Sequence, residues 1–342
     1  MKKLICFMLV LAMAMSFVAC NNSTPATQSS TPASNDVSTE QPKSNDDDKI
    51  VIGISMDAIE SQMWAENQAS MHNTLKEMGI EFIEVIADGD AQKQNQQIET
   101  LIASGVDAII IAPKDSTTIV SAIKKCNDAG IPVVMNNRAA GEGAVVSCTV
   151  ASDNKSMVIR EMEYIVEKAK KEGKTYKVME FIGNLTDTNA VYRHEGFKQV
   201  VDANPDIFTE VIEIPTEWKA ENADALGQAA LQANPDINMI FAASDFLVPT
   251  IKSMLQKFDK WYPAGHEKHV VYVTFDGAAD AVNEIKAGYI DIVSVQDATM
   301  QGKLCVENAV KLAKGETVNP DAFDPGFEVT LENVNELGFA GY

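Results

Sequence analysis

Residues 105–134 read GVDAIIIAPKDSTTIVSAIKKCNDAGIPVV, and this stretch decides the fold class. It holds one apolar run, 107–112, and all but the last residue of a second, 131–135, each of a length typical of a buried strand and each containing or followed by proline. Between them, residues 117–128 carry apolar side chains at helical spacing, and Gly130 ends the segment. A buried strand, a helix and a second buried strand predict a βαβ unit, whose strands lie parallel in a sheet that is covered on both faces.

The same alternation of short strands and helices continues on both sides of this unit. The remaining predicted strands are 50–54, 81–87, 145–151, 177–182, 208–214, 238–242, 270–274 and 292–295. The remaining predicted helices are 62–78, 91–103, 155–171, 190–203, 220–232, 247–258, 278–286 and 300–313. These strands are too many for one compact sheet, and the alternation restarts after residue 151. The sequence therefore predicts an α/β protein of two lobes, each built on a doubly wound parallel sheet.

The composition is that of a globular protein, and it argues against several classes of function. The chain has 342 residues, of which 46% are apolar and 23% charged, and this length fits about two domains. With 49 acidic and 28 basic residues, its net charge of −21 argues against binding to nucleic acid or to anionic lipid. The histidines and cysteines lack metal-site spacing, and nucleotide-binding and hydrolase motifs are missing from the sequence. We therefore expect no enzyme activity, no metal and no cofactor.

The N-terminal segment has the features of a bacterial secretion signal. Two lysines precede an apolar run over residues 4–19, which is shorter than the roughly 20 residues of a membrane span but typical of a signal peptide. The run ends in Phe-Val-Ala-Cys at 17–20, which resembles a bacterial lipobox. This resemblance implies a signal peptide over 1–19 and a lipidated Cys20. The alternative is an ordinary signal peptide that is cut near Ala19.

A polar segment connects this signal to the folded part of the chain. Residues 21–48 are rich in Ser, Thr, Asn, Gln and Pro, so they cannot bury enough apolar surface to offset their ordering entropy. We interpret residues 20–48 as the lipidated Cys20 and a flexible stalk, with the folded chain starting at Lys49. Such a protein is anchored to the membrane by lipid at the outer face of the cell membrane, or in the periplasm where the source has an outer membrane.

Three cysteines remain in the folded part of the chain. They are Cys126, Cys148 and Cys305, at wide spacings. An odd number at such spacings indicates buried free thiols. The alternative is one disulfide with one spare thiol.

Polar and aromatic side chains follow most of the predicted strands. Ligands of open α/β sheets bind outside the carboxyl ends of the strands, so these residues form the candidate site. They are Met56, Asp57, Trp64, Asn136, Asn137, Arg138, Asp187, Asn189, Arg193, Trp218, Ser244, Asp245, Phe275, Asp276, Gln296 and Asp297. Their side chains include both donors and acceptors, as hydroxyl groups require, and tryptophan faces suit the C–H faces of a sugar ring.

Six segments, in this order, resemble the motifs of one family. They are Ile52-Gly53-Ile54-Ser55, Gly105-Val106-Asp107-Ala108-Ile109-Ile110-Ile111, Gly130-Ile131-Pro132-Val133-Val134, Ala151-Ser152-Asp153-Asn154, Arg193-His194-Glu195-Gly196-Phe197 and Phe275-Asp276-Gly277. From about residue 49 to 329 the chain resembles the type I periplasmic sugar-binding proteins, in the branch that binds ribose, galactose and xylose. The resemblance implies an N-terminal lobe of 49–151 plus 297–322 and a C-terminal lobe of 152–296 plus 323–342. It also implies a three-strand hinge, with crossings near 151–152, 296–297 and 321–323.

The resemblance also implies ligand-binding roles at individual positions. Aromatic rings of the family stack on the sugar at the positions of Trp64 and Trp218. Its polar ligand-binding positions correspond here to Asn137, Arg138, Asp187, Asn189, Arg193, Asp276 and Gln296, and Ser244 stands where the family commonly has Asn. Structural alternatives stay open, namely core packing for the tryptophans, an ion pair for Arg193, and helix capping for Asp187 and Asn189.

The function that this resemblance implies is the capture of a sugar by closure of a hinge. A monosaccharide is held in the cleft between the lobes, and the closed form is presented to the transmembrane subunits of an ABC importer. We expect galactose or glucose first and xylose or ribose next, a monomer, and no nucleic-acid partner. The alternative is a sugar sensor that presents its bound state to a membrane receptor or kinase.

Overall fold

The computed structural model describes residues 49–342, so the predicted signal peptide, the lipidated Cys20 and the stalk lie outside the described residues. The elements before residue 153 are β1 (Val51–Met56), α1 (Gln62–Met78), β2 (Glu81–Ile86), α2 (Ala91–Ala103), β3 (Ala108–Ile111), α3 (Ile119–Asp128), β4 (Val133–Asn136) and β5 (Cys148–Ser152). The next are α4 (Asn154–Glu172), β6 (Tyr176–Ile182), α5 (Thr188–Ala203), β7 (Phe208–Pro215), α6 (Ala220–Ala233), β8 (Met239–Ala242), α7 (Val248–Lys257), β9 (Val271–Asp276), α8 (Ala279–Lys286) and β10 (Ile292–Val295). The chain ends with α9 (Ala298–Ala313), β11 (Asp321–Asp324), β12 (Phe327–Thr330) and α10 (Val334–Leu337).

These strands form two six-stranded sheets, which confirms the predicted pair of α/β lobes. The first sheet has the order β11-β5-β4-β3-β1-β2, and all of its strands are parallel. The second has the order β12-β10-β9-β8-β6-β7, and β12 is its antiparallel edge strand. Strands β3, β4 and β8 are buried at every residue, as expected of parallel strands that carry helices on both faces.

Aspartates and glycines set several helix boundaries. The side chains of Asp90, Asp153 and Asp297 cap α2, α4 and α9 by accepting hydrogen bonds from backbone N–H groups of the first turn. At the other end, α1 and α4 end at Gly79 and Gly173, each in the left-handed conformation that glycine adopts without a steric penalty.

The chain crosses between the lobes three times, close to the predicted places. The crossings lie between β5 and α4, between β10 and α9, and between β11 and β12. The sequence placed Ser152 and residues 323–324 in the second lobe. In the structure they extend the first sheet, because Ala151 pairs with Phe323 and Ser152 pairs with Asp324. The sequence analysis also missed β11, β12 and α10.

The described part of the chain contains three free thiols, consistent with the first of the two alternatives for the cysteines. Cys126, Cys148 and Cys305 are all buried and unpaired. Burial raises the pKa of Cys126 to about 11, so its thiol stays protonated at neutral pH. Across residues 49–342, no helix has both the length and the apolar character that crossing a bilayer requires.

Helix α9 returns to the first lobe after the second crossing and packs closely on α1. A Cβ added at Gly302 of α9 would lie 2.5 Å from the carbonyl oxygen of Asn67 and 2.9 Å from Cβ of Ser70. Ser70 Oγ donates to the carbonyl oxygen of Thr299 at 2.6 Å, which fixes the register of the two helices. The absence of a side chain at Gly302 thus sets the distance between the helices.

Replacing Gly302 by alanine is expected to lower the free energy of unfolding by about 1–3 kcal/mol, because the added methyl group forces α9 away from α1. Urea unfolding followed by circular dichroism measures this change. The matched control is Lys303→Ala on the exposed face of the same helix, which should stay within about 0.5 kcal/mol of wild type. Equal stability of Gly302→Ala and the control would contradict this account of the packing.

Candidate functional site

A cavity of about 540 Å³ lies between the lobes at the carboxyl ends of both sheets. The first lobe contributes Asp57, Ala58, Glu60, Ser61, Met63, Trp64, Asp88, Gly89, Lys114, Asn137 and Arg138 to its wall. The second lobe contributes Asp187, Asn189, Arg193, Glu217, Trp218, Lys219, Ala220, Glu221, Ser244, Phe246 and Asp276. The structure therefore brings together nine of the ten residues to which the resemblance assigns ligand-binding roles. The tenth, Gln296, is fully buried behind the cavity.

Arg138 connects the two walls of the cavity. Its Nη1 donates to Asp57 Oδ2 at 2.8 Å within the first lobe, and its Nε lies 2.9 Å from Asp187 Oδ2 of the second lobe. Burial alone would lower the pKa of Arg138, but the charges of Asp187 and Asp57 outweigh it and raise that pKa. The guanidinium also lies over the ring of Trp64, 5.1 Å from its centroid. Trp64 is thus a core residue that also lines the cavity, with one face covered by Arg138.

Arg193 occupies the matching place in the second lobe. Its Nη2 lies 3.0 Å from Asp276 Oδ1, and its Nη1 donates to the carbonyl oxygen of Ala243 at 2.6 Å. Asp276 also accepts a hydrogen bond from Ser244 Oγ and another from Gln296 Nε2, the latter at 2.7 Å. Ser244, whose side chain is shorter than the Asn that the family commonly has, therefore bonds to the carboxylate of Asp276. Arg193 forms the ion pair of the structural alternative and at the same time lines the cavity.

Asp187 caps a helix and also faces the cavity. Its Oδ1 accepts from the backbone N–H of Asn189 at 2.9 Å, which caps α5. Its Oδ2 accepts from Trp218 Nε1 at 2.9 Å and is the oxygen that contacts Arg138. Trp218 packs on Gly183, where an added Cβ would lie 2.2 Å from the indole ring. One carboxylate therefore orients the tryptophan, begins the helix and contacts the other lobe.

The two asparagines bond to each other across the lobes. Asn189 Nδ2 donates to Asn137 Oδ1 at 2.7 Å, and Asn137 Nδ2 donates to Gln296 Oε1 at 2.8 Å. Asn154 Nδ2 in turn donates to Asn189 Oδ1 at 3.1 Å. Asn137 and Asn189 therefore line the cavity while most of their polar atoms serve contacts within the protein.

Asp57 is a cavity residue that the position-by-position resemblance did not include. Its Oδ2 pairs with Arg138, but its Oδ1 is buried and accepts no hydrogen bond from the described residues. A buried carboxylate oxygen without a donor is costly, so the ion pair of Oδ2 with Arg138 must offset this cost. The position of Asp57 directly after β1 was the available signal in the sequence.

The backbone of the cleft is strained at several residues. Asn137, Glu217 and Trp218 have φ angles of 64°, 54° and 56°, and Asp276 has a φ of 109°. Residues other than glycine rarely adopt these φ angles, and those that do cluster at functional sites. In the described part of the chain, only Asp88 and Asp259 are further non-glycine residues with positive φ.

Contacts at the edges of the cleft show that the lobes are closed on one another. The backbone N–H of Ser116 in the first lobe donates to the carbonyl oxygen of Thr186 in the second, at 3.1 Å. The N–H of Ala279 in the second lobe donates to Gln62 Oε1 in the first, at 2.9 Å. With the bonds of Arg138 and Asn137, these contacts surround the cavity. Between residues 49 and 342, no cluster of three or more His, Cys, Asp or Glu side chains is arranged to hold a metal ion.

Comparison with known proteins places the chain among binding proteins. Residues 52–317 match the family model described as periplasmic binding protein domain. The ribose import binding protein of Bacillus subtilis is 28% identical over 270 residues, 79% of this chain and 84% of that protein. The D-apiose import binding protein of Paraburkholderia graminis is 28% identical over 249 residues, 72% of this chain and 76% of that protein.

A solved structure gives the same result for the fold. The solute-binding protein of an ABC transporter from Bacillus halodurans, crystallised with myo-inositol, superposes with a TM-score of 0.77 at 28% identity. The match covers 86% of this chain and 99% of that one. The likeness therefore includes both lobes.

Replacing Gly183 by alanine is expected to displace the Trp218 ring, because the new Cβ overlaps it, and to break the bond from Nε1 to Asp187. The expected result is a changed tryptophan emission spectrum together with weaker ligand binding. The variant Trp218→Phe keeps an aromatic ring but removes the N–H donor. Its effect on ligand binding therefore separates the loss of the hydrogen bond to Asp187 from the displacement of the ring. An unchanged emission spectrum in Gly183→Ala would show that the ring does not depend on this glycine.

His194, beside Arg193 on α5, makes stability depend on pH. Its Nδ1 lies 2.8 Å from Glu180 Oε1, and this hydrogen bond raises the pKa of His194 although partial burial opposes it. Burial raises the pKa of Glu180. A raised histidine pKa gives stability that is fully present below the unfolded pKa of about 6.5 and is lost as the pH rises through the folded pKa.

We therefore expect His194→Gln to reduce the free energy of unfolding more at pH 5.5 than at pH 8.5. Urea unfolding of both proteins at the two pH values measures this difference. The control His266→Gln changes an exposed histidine on the far side of the lobe and should lack the trend. A deficit that is the same at both pH values would contradict the ion pair.

Proposed function

The chain belongs to the periplasmic binding protein family, and from this premise we propose that it captures a neutral monosaccharide outside the cytoplasm for an ABC importer. Its relatives in the comparisons are import binding proteins and not enzymes. The observation that carries the proposal is the cavity between the lobes, because its walls come from both. A ligand that touches both walls stabilises the closed form by its greater affinity for that form.

Charge pairing in the cavity argues against an anionic ligand. Arg138 is paired with Asp57 and Asp187, and Arg193 with Asp276, so both guanidinium groups already have carboxylate partners. An anionic ligand would have to displace one of these buried carboxylates, which is costly. Carboxylate and amide groups of the cavity wall offer acceptors and donors for the hydroxyl groups of a neutral sugar.

The identity of the sugar is the finer part of the proposal. We propose galactose or glucose first, since Trp64 and Trp218 both line the cavity and suit the C–H faces of a pyranose. Xylose and ribose come next. The names of the relatives add D-apiose and myo-inositol to the compounds worth testing, and all of these are neutral polyhydroxyl compounds.

We also propose that the lipidated Cys20 anchors the protein at the outer face of the cell membrane and that residues 21–48 act as its stalk. The lipobox-like tetrapeptide and the polar composition of the stalk support this part of the proposal. An anchored monomer with a flexible stalk can stay near the transmembrane subunits of the importer and still reorient towards them.

The proposal is tested by thermal unfolding of the purified protein with each of these compounds, alongside citrate and lysine as charged probes. A true ligand at 100 times its Kd should stabilise the protein by about 2.7 kcal/mol. Asp57→Asn is expected to raise Kd about tenfold, because it weakens the ion pair with Arg138, which connects the two walls of the cavity, and replaces a carboxylate acceptor by a weaker amide oxygen.

The matched control is Asp107→Asn. Asp107 accepts a hydrogen bond from the N–H of Val51 at the opposite end of the same sheet. The Kd of this variant for the sugar should therefore equal that of wild type. Stabilisation by none of the sugars, or by a charged probe alone, would contradict the proposed ligand class and leave the family membership intact.

A further inference from the structure

The carboxylate of Asp324 joins the three crossings between the lobes. Its Oδ2 accepts hydrogen bonds from Ser152 Oγ at 3.0 Å, on the first crossing, and from the N–H of Asp297 at 2.6 Å, on the second. Its Oδ1 accepts from the N–H of Gly326 at 2.9 Å, on the third crossing to which Asp324 itself belongs. We call this group the hinge carboxylate. It is buried, so these bonds are little weakened by water.

Gln301, at the end of the first turn of α9, links the hinge carboxylate to the cleft. Its Nε2 donates to Ser152 Oγ at 2.7 Å and to Asp324 Oδ2 at 3.2 Å. Its Oε1 accepts from Asn137 Nδ2 at 2.8 Å. Gln301 is fully buried, and both ends of its amide are bonded, so the orientation of the amide is fixed.

Asn137 is the point at which this network reaches the other lobe. Its Oδ1 accepts the bond from Asn189 Nδ2 of the second lobe, and this bond exists only while the lobes are closed. Asn137 Nδ2 donates to both Gln296 and Gln301. Gln296 continues to Asp276 in the second lobe, whereas Gln301 continues to the hinge carboxylate.

We propose that Gln301 is a positioning residue, which couples closure of the cleft to the hinge by holding the Asn137 side chain that bridges the lobes. This proposal rests on the proposed function in one respect: it assumes that the cleft closes around a ligand. Gln301 does not line the cavity, so it acts through Asn137 and not through contact with the ligand.

The decisive variant is Gln301→Met, which keeps the length and burial of the side chain and removes both hydrogen-bonding groups. It leaves one N–H of Asn137 without an acceptor and removes one donor from the hinge carboxylate. Because a buried unpaired donor is costly, the Asn137 amide no longer favours the orientation that accepts from Asn189. We expect the ratio of closed to open molecules to fall about tenfold. The Kd for the sugar should rise by up to the same factor, since binding is linked to closure.

The closed fraction is measured by single-molecule fluorescence energy transfer in the purified protein. Dyes are attached through unnatural amino acids at Gln96 on α2 and Ala225 on α6, both exposed, so that the native cysteines stay unlabelled. These helices begin at opposite edges of the cavity, so the distance between the dyes reports closure. The measurement is made without ligand and with the sugar found in the thermal screen.

The matched control is Asn308→Leu, which removes another buried amide of α9; among residues 49–342, its Nδ2 donates to Cys148 Sγ alone, at 3.3 Å. This control is expected to lower the free energy of unfolding while the ratio of closed to open molecules stays unchanged. Both variants are expected to unfold at lower urea concentration, but only Gln301→Met should shift the distance distribution.

Unchanged distance distributions in Gln301→Met would overturn the proposal, whatever its stability. A wild-type protein with no closed population in either condition would overturn it as well. Failure of the proposed function gives a different result. The wild type then binds none of the sugars, but the distribution of dye-to-dye distances without ligand still distinguishes Gln301→Met from the control.

Discussion

The ion pair of Arg138 with Asp57 and Asp187 is the interaction on which the closed arrangement depends. Asp57 holds the guanidinium in the first lobe, and Asp187 meets it from the second. Buried ion pairs of this kind add little to stability after desolvation, but loss of one partner is costly because it leaves a buried charge without compensation. Because Asp187 also orients Trp218 and caps α5, a single arrangement of the lobes satisfies three structural demands at one carboxylate. The cavity is the space that this arrangement leaves between the sheets.

Most of the fold follows from local sequence patterns. Runs such as 107–112 and 292–295 are apolar enough to be recognised as buried parallel strands, and glycines mark the ends of α1 and α4. Strands β11 and β12 escaped recognition because they are short and partly exposed, and because pairing with β5 and β10 stabilises them. The same pairing moves the third crossing past Asp324. Pairing over such distances along the chain leaves no periodic signal in the sequence.

The site could be predicted as a set of residues but not as a network. The rule that ligands bind at strand ends, together with the family resemblance, found ten residues that line the cavity. It could not show that Arg138 covers one face of Trp64, because these residues lie far apart in the sequence, or that Asn137 and Asn189 bond to each other, because that contact joins the two lobes. Gln301 gave no signal at all, since an amide on a helix is ordinarily a solvated side chain. Its role becomes visible only when α9 is seen beside the hinge.

The left-handed backbone in the cleft limits how this protein can acquire a new ligand. At Asn137 and Asp276 the φ angles tolerate little beyond glycine, asparagine and aspartate, and β-branched side chains are nearly excluded. Most substitutions at these positions therefore carry a strain cost of about 1–2 kcal/mol, and directed evolution would gain little by randomising them. Ser244 has an extended backbone conformation that any residue adopts, so it is a position at which natural or laboratory selection can change the shape of the cavity while the scaffold is retained.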